Sequence, residues 1–374
     1  MSEPTELTGA ATLFRPTAPL ENLRLRAELY RRLRFFFDEL GFVEVSTPTL
    51  SRDVVVDRFV ESIPVKIDQC WRERDALSQK RFSDPVLAKE RSTTFYLQTS
   101  PEFAMKRLVA AGMQSIYQLA PAYRRGDRGE LHNLEFTMLE WYRQGDDYQA
   151  GRALLCALVE QVSAQFYERT GVSRVSWSKG RVEQRSFGSV FMEYTNVNPH
   201  VCSSDDLRRY ADQNGIAYPS GYANDESTTK DDWLDLIFSE AVQPHLGFES
   251  PILLYDYPAS QSQLAKTGES FDPTTGERQI VSRRFELFAM GIELANGYDE
   301  LLDSEALRAR IEVTSAERRR DGSPELPRES RLLAAMDAGL PPCSGCALGV
   351  DRFLCVLLGA RKIDEVLTFP IELA

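Results

Sequence analysis

The sequence predicts an α+β protein in which a mainly antiparallel sheet is flanked by helices. Three observations carry this reading. Two pairs of strand-like runs occur at 115–142 and 283–301, amphipathic runs of helical spacing flank them, and no internal repeat or Pro/Gly/Ser-rich linker separates independent units.

Composition sets outer bounds. The chain of 374 residues is long enough for one large domain or two, and its apolar and charged fractions are those of an ordinary globular protein. A formal net charge of −12 argues against a broad cationic footprint for nucleic acid or anionic membrane, although it leaves room for a local basic patch. The opening MSEPTELTGAATLF lacks a basic segment followed by an apolar run, and no window approaches the roughly 18 uninterrupted apolar residues of a membrane span. The expected location is the cytoplasm, without membrane association. There the six scattered cysteines would stay reduced. Cys343 and Cys346 have ligand-like spacing, but no second pair accompanies them and the only histidines are His132, His200 and His245. They read as small packed residues beside a glycine.

Residues 1–19 are expected to be irregular. From Leu20 to Leu40 the positions Leu23, Leu25, Leu29, Leu33, Phe36, Phe37 and Leu40 repeat at near-helical spacing, and Gly41 supplies a C-terminal stop. FVEVSTPTL then reads as an alternating strand ended at Pro48, with the helix–strand unit either packed on the core or forming a subunit interface. Residues 52–68 read as further strand, and 70–93 as a polar surface insertion. FYLQTSPEFAMKRLVAAGM gives a strand, a Ser-Pro-Glu helix start and an amphipathic helix to Gly112. Pro101 suits the first helical position, and Glu102 could simply complement the helix dipole.

The densest chemistry lies in YQLAPAYRRGDRGELHNLEFTMLEWYR, residues 117–143. Two apolar-patterned runs, Ser115–Tyr123 and Leu134–Tyr142, flank the turn-forming Gly-Asp-Arg-Gly, which is the pattern of a long antiparallel hairpin. Arginines, a histidine, an asparagine, a stacking phenylalanine and a carboxylate on one hairpin suit a polyanionic nucleotide. Asp147–Thr170 follows as an amphipathic helix, 172–190 as a polar strand pair, and 191–247 as a helical, loop-rich stretch with a polar tip at SGYANDESTTKDD. PILLYDYPAS is a buried strand, Phe271–Glu277 a polar loop, and RRFELFAMGIELANGYDEL the second strand pair.

In that pair Glu286, Glu293 and Glu300 recur every seven residues along mainly apolar segments. A carboxylate in such surroundings is costly unless paired, so three suggest a magnesium and cation site, where a single one could be a satisfied surface charge. PPCSGCALGVDRFLCVLLGA is a small-residue strand or turn entering an apolar helix that carries Arg352. Its GCALG is not the GxGxxG phosphate fingerprint.

Taken together these pieces resemble the three signature motifs of a class II aminoacyl-tRNA synthetase: GFVEVSTPTL the first, YRRGDRGELHNLEFTMLEWY the second, ALGVDRFL the third. TSPE at 99–102, HNLEFTMLEWY at 132–142 and GIELANGYDEL at 291–301 are similar to the lysyl branch. The resemblance covers residues 20–374 and implies the class II catalytic fold over that span. Lysyl-tRNA synthetases carry an N-terminal anticodon-binding barrel. Here the first motif begins near the N-terminus, which looks like the elongation factor P lysine ligases.

That resemblance implies an ATP- and Mg2+-dependent homodimeric ligase. It would activate lysine or (R)-β-lysine as an adenylate and pass it to a lysine ε-amine of elongation factor P, and tRNA is not an expected partner. A minimal tRNA-charging enzyme and an inactive regulatory module are the alternatives. By the same resemblance Arg124 would bind the α-phosphate and Arg352 the far phosphates, as the catalytic residues, with His132 adding a phosphate contact. Phe136 would stack on adenine opposite Arg352, Asn133 would help read the base edge, and Glu293, Leu294 and Gly349 would complete the nucleotide site. Glu286 and Glu293 match the magnesium-binding acids. Ser100, Pro101 and Glu102 would meet the backbone-side amino group, and Glu140, Tyr142, Asn296 and Glu300 the ε-ammonium.

Two departures from the lysyl pattern stand out. Gly126 occupies the place of an acid two residues after the arginine of the second motif, so Asp127 is expected to take over its adenine-side role. Ala347 replaces the glycine of the tRNA synthetases on the pocket floor, where a methyl group is worth about 1 to 3 kcal/mol of substrate preference.

Overall fold

The computed structural model describes residues 14–67, 94–172, 181–219, 222, 228–271, 276 and 278–374, and every structural statement below refers to these. The expectations for residues 1–13, for the 70–93 insertion, and for most of the SGYANDES tip and of the 272–277 loop lie outside them.

Helix α1 (Leu20–Glu39) forms as its spacing predicts. It buries Leu25, Leu29, Leu33, Phe36 and Phe37 along one stripe, and Phe37 stacks on Tyr117 with ring centroids 4.6 Å apart. Complete burial of a side chain of this size contributes roughly 1.5–3 kcal/mol. Gly41, at φ 72°, turns the chain out of the helix.

The strand expected over FVEVSTPTL shrinks to β1 (Val43–Glu44) and β2 (Leu50–Ser51). β1 pairs in parallel with the first residues of β5 (Ser115–Tyr123). Beyond it the Thr47 hydroxyl bonds to the Gln118 side chain, and Pro48 supplies no donor to a ladder. The strand expected over 52–68 is confined to β3 (Ile63–Lys66), because Asp57 accepts from the amides of Phe59 and Val60 and curls the chain before it. β2, β4 (Thr94–Leu97) and β3 make a small three-stranded sheet.

Helix α2 (Glu102–Ala110) leads into the hairpin of β5 and β6 (Glu135–Gln144), which pair antiparallel from Ser115↔Arg143 to Tyr123↔Glu135. Helix α3 (Tyr148–Thr170) starts from an Asp147 cap that accepts from Ala150. The polar strand pair expected over 172–190 is replaced among the described residues by β7 (Glu183–Ser186) and α4 (Phe187–Thr195). Ser186 caps the helix through the Ser189 amide, and the apolar FGSVF behind it packs as one face. Helices α5 (Ser204–Asn214) and α6 (Lys230–Ile237) follow, each with a capping box.

β8 (Ile252–Pro258), β9 (Thr267–Phe271), β10 (Arg278–Ala289) and β11 (Ile292–Asp299) come next. Helices α7 (Ser304–Arg320) and α8 (Arg331–Gly339), strand β12 (Cys343–Gly349) and helix α9 (Val350–Leu358) complete the order. The large sheet runs β1-β5-β6-β12-β11-β10-β8-β7, with β9 paired to β10. Only β1 and β7 join in parallel; the rest is antiparallel, as the two predicted strand pairs require.

Alternation then sorts the side chains. One face of the sheet carries Tyr117, Leu139, Trp141, Cys346, Leu348, Ala295, Phe285 and Leu287, and is covered by α1, α3 and α9. The other face is covered at its ends only. Helices α4, α5 and α6 pack over Leu254 and Phe288, while α2, α7 and α8 pack over Ile116, Tyr142 and Cys343. The middle of that face is the floor of a cavity.

Candidate active site

A cavity of about 890 Å³ opens on this floor. Of the residues named from the sequence, Ser100, Glu102, Arg124, Asp127, His132, Asn133, Phe136, Glu140, Tyr142, Glu293, Leu294, Asn296, Glu300, Ala347, Gly349 and Arg352 line it, whereas Pro101, Gly126 and Glu286 do not. The strand register explains the convergence. Glu140 on β6 pairs with Ala347 on β12, Ala347 with Asn296 on β11, and Asn296 with Glu286 on β10, so four residues remote in sequence form one row. The adjacent row is Tyr142, Gly345, Tyr298 and Arg284.

Strict alternation would put Glu293 on the opposite face from Asn296. The β10–β11 register slips between Leu287 and Phe288, which pairs Phe288 with Glu293 and leaves Leu294 unmatched. This bulge turns Glu293 to the cavity side.

At one end of the floor lie the two arginines. Arg124 follows β5 and its guanidinium sits 5.2 Å from the Phe136 ring centroid. Arg352, on the first turn of α9, donates to the carbonyls of Leu131 and Glu293 and lies 2.5 Å from His132 Nε2. Surrounding protein and then the Arg352 charge keep the His132 pKa below the ordinary histidine value, although the ring edge reaches solvent. The imidazole is therefore neutral. Asn133 is held by the main chain, its amide donating to Glu135 and accepting from Ile371. Gly126, at φ 85°, is exposed in the turn, where a side chain would be strained, and the half-buried Asp127 reaches the cavity wall instead.

At the other end lies a buried polar nest. Glu140 is 1% exposed; it accepts from the Ser100 hydroxyl and, at 3.2 Å, from the Tyr142 hydroxyl. Burial, reinforced by the Glu102 charge, pushes its carboxyl up to about 8. Glu102 and Glu300, also buried, share the ammonium of Lys106, which bonds to Glu102 and lies 2.5 Å from Glu300 Oε2. Burial alone would lower the Lys106 pKa, but the two carboxylates outweigh it and hold the amine charged. Arg124 Nε, Asn296 Oδ1 and Glu300 Oε1 are buried without hydrogen-bond partners among the described residues, which marks the cavity as a place for a polar ligand.

The expected metal acids are arranged differently from one another. Glu286 sits behind the wall, where Tyr257 donates to it at 2.6 Å and Arg284 forms an ion pair with it, while Glu293 faces the cavity. Burial, opposed by the Arg284 charge and reinforced by that of Glu293, raises the Glu286 carboxyl above the ordinary carboxylate range. Among the described residues no group of three or more His, Cys, Asp or Glu side chains is assembled. Two hard oxygen donors suit a magnesium ion that arrives on phosphates and keeps part of its water shell. Cys343 and Cys346 are free and buried on opposite faces of β12, with neither forming part of such a group.

Sequence reading missed three residues. Lys106 looked like one more cation of an amphipathic helix, although its position four residues after Glu102 was a signal. Gly345 permits the nest to close, since a Cβ there would lie 2.2 Å from Tyr142 and 2.4 Å from Glu300. Asp351 is buried in a bond with Arg26 of α1 and accepts the Thr137 amide of β6 at 2.6 Å, which fixes α9 and hence Arg352.

Comparison with known proteins places the chain among its relatives. The family described as tRNA synthetases class II (D, K and N) matches residues 73–373. A protein of Hamiltonella defensa is 33% identical over 364 residues, covering 97% of this chain and 99% of its own length. One from Yersinia enterocolitica is 36% identical over 361 residues (96% of this chain, 97% of its own), and one from Yersinia pestis strain Pestoides F is 35% identical over 364 residues (96% and 98%). Each of the three is named elongation factor P–(R)-β-lysine ligase.

Proposed function

The chain belongs to the class II tRNA synthetase (D, K and N) family, and on that premise we propose that it is an ATP-dependent ligase that joins (R)-β-lysine or lysine to a lysine ε-amine of elongation factor P. The observation that carries the proposal is one cavity with two arginines at one end and three buried carboxylates at the other.

The amino acid's own carboxylate is the nucleophile. It attacks the α-phosphorus of ATP, the bond to pyrophosphate breaks, and an aminoacyl-adenylate remains. The acceptor amine, once deprotonated, then attacks the acyl carbon and AMP leaves. Arg124 is assigned to the α-phosphate and Arg352 to the far phosphates, and the neutral His132 beside Arg352 adds a contact without competing charge. Phe136 offers its ring to adenine. Glu293, with Glu286 behind it, would hold the magnesium ion of the nucleotide, whose chemistry is to neutralise charge on the departing pyrophosphate. Ser100 and Glu102 take the backbone-side amino group, while Glu140, Tyr142, Asn296 and Glu300 take the distal ammonium. Rate enhancement then comes from positioning and preorganised charge, with no protein base needed for the first step.

Residues 20–374 act as one catalytic unit. The exposed Phe35 of α1, Leu40 just after it and Val43 of β1 favour pairing with a second copy of the chain. No described helix is long and apolar enough to cross a membrane, and a cytoplasmic location fits a ligase acting on a translation factor. The acidic net charge favours a protein acceptor over tRNA.

The test is exchange of labelled pyrophosphate into ATP in the presence of lysine or (R)-β-lysine. Amino-acid-dependent exchange is expected, with a loss of about 10²–10³-fold in Arg124→Ala, the range for removing one transition-state charge contact. No exchange with either amino acid, or near-normal exchange in the variant, would refute the reading.

A further inference from the structure

The nest at the amino-acid end contains a cation that no assigned role uses. Lys106 leaves only 2% of its surface exposed, and its ammonium lies between Glu102 and Glu300 with the Tyr142 ring 5.9 Å away. The titratable groups around it are Glu102 on its own helix, Glu140 and Tyr142 on β6, Glu300 just beyond β11, and Cys343 on β12. Lys106 engages one oxygen of Glu102 and one of Glu300, and the other Glu300 oxygen has no hydrogen-bond partner. Glu140 is held only by hydroxyl groups. Once a bound cation draws all three carboxyls into their ionised form, three carboxylates against one ammonium leave two negative charges to be matched among buried side chains.

We propose that Lys106 is a specificity-determining residue, whose ammonium cancels one of the three buried carboxylates so that the pocket becomes neutral only around a ligand bearing two ammonium groups. This rests on the reading of the nest as the amino-acid pocket. Lysine and (R)-β-lysine each carry two such groups besides the reacting carboxylate, which faces ATP. A monoammonium amino acid of the same length, such as norleucine, leaves one buried carboxylate unmatched, and unpaired buried charge is heavily penalised.

The alternative, that Lys106 only props α2, makes opposite predictions for a pocket short of one carboxylate. In Glu300→Gln two carboxylates remain. If Lys106 counts in the balance, the net charge falls to one and norleucine becomes the better-matched ligand. If it does not count, the remaining two charges still favour lysine.

The experiment measures kcat/KM for lysine and for norleucine by pyrophosphate exchange, using the full-length wild type, Glu300→Gln, and the double variant Lys106→Met/Glu300→Gln. Relative to wild type, the lysine-to-norleucine ratio is expected to invert in Glu300→Gln. It should swing back toward lysine by about tenfold or more in the double variant, within the range of coupling between members of one ion-pair network. Removal of a lysine thus restores the preference for a dication. A ratio in Glu300→Gln that still favours lysine overturns the proposal, as does a double variant whose ratio moves no further than that of Glu300→Gln. Should the double variant fail to fold, the Glu300→Gln ratio decides alone. Absence of exchange with both lysine and (R)-β-lysine in the wild type would overturn the underlying reading and this inference with it, whereas wild-type exchange with the wrong ratios overturns the inference only.

Discussion

Ala347 of β12 stands directly opposite Glu140 of β6 in the sheet register, with Asn296 of β11 on its other side. Its methyl group therefore lies in the row of side chains that forms the pocket floor, between the groups assigned to the substrate ammonium. Lysine and (R)-β-lysine differ by the placement of one amino group by one carbon. Changing Ala347→Gly is expected to raise the use of lysine relative to (R)-β-lysine in pyrophosphate exchange, by up to about 10–200-fold, the span a single methylene in a pocket controls. An unchanged ratio would show that this position does not set the preference.

The Glu140 carboxyl supplies a pH dependence whose sign can be worked out. Burial raises its pKa from 4.5 to about 8, so between those values the folded protein holds a proton that the unfolded chain has released. Stability of the ligand-free protein then falls as pH rises through this window, by up to ~1.4 kcal/mol per pH unit for one group. Thermal melts from about pH 5 to about pH 8 should show that decline, and Glu140→Gln should flatten it. A lysine-type ligand places a cation beside the carboxylate, so its stabilising effect should grow toward about pH 8. An identical slope in wild type and Glu140→Gln would count against the assignment.

A structural prediction concerns Asp351. At 2% exposure it joins Arg26 of α1 to the Thr137 amide of β6 and so ties α1 and the second motif to the third. Removing one partner of a buried pair leaves the other uncompensated, at about 3–5 kcal/mol. Denaturant unfolding of Asp351→Ala should show a loss of that order. A change below about 1 kcal/mol would mean that Arg26 finds adequate replacement partners in Tyr30, Thr137 and Val366.

Legibility in the sequence followed the strength of the local signal. Helix α1, the β5–β6 hairpin and the β10–β11 pair were readable because period and turn residues agree, down to Met290 and Gly291, both at positive φ in the tight turn of the second pair. The short β1 was misread because FVEV alternates like a strand, and only the missing pairing partner beyond Tyr117 reveals where it stops. The stretch before α4 was misread because a Ser cap sits in polar sequence that also suits a strand.

Within the site, residue types were legible and their arrangement was not. Glu286, Glu293 and Glu300 stood out by regular spacing, yet they divide among three environments: Glu286 behind the wall with Arg284, Glu293 turned inward by the bulge at Leu294, and Glu300 in the amino-acid nest. A bulge adds one residue and leaves no mark in the spacing of charges. Lys106 was hidden for a related reason. A Glu followed four residues later by a Lys reads as a solvent-exposed helix pair, and only the packing of β6 and α8 against α2 shows that it is buried.

The central claim is the identity of the acceptor. The most direct measurement incubates the protein with ATP, magnesium and labelled lysine or (R)-β-lysine, in separate reactions offered elongation factor P and total tRNA. Label is expected in elongation factor P, at a lysine side chain, with little or none in tRNA. Label found only in tRNA would contradict the account.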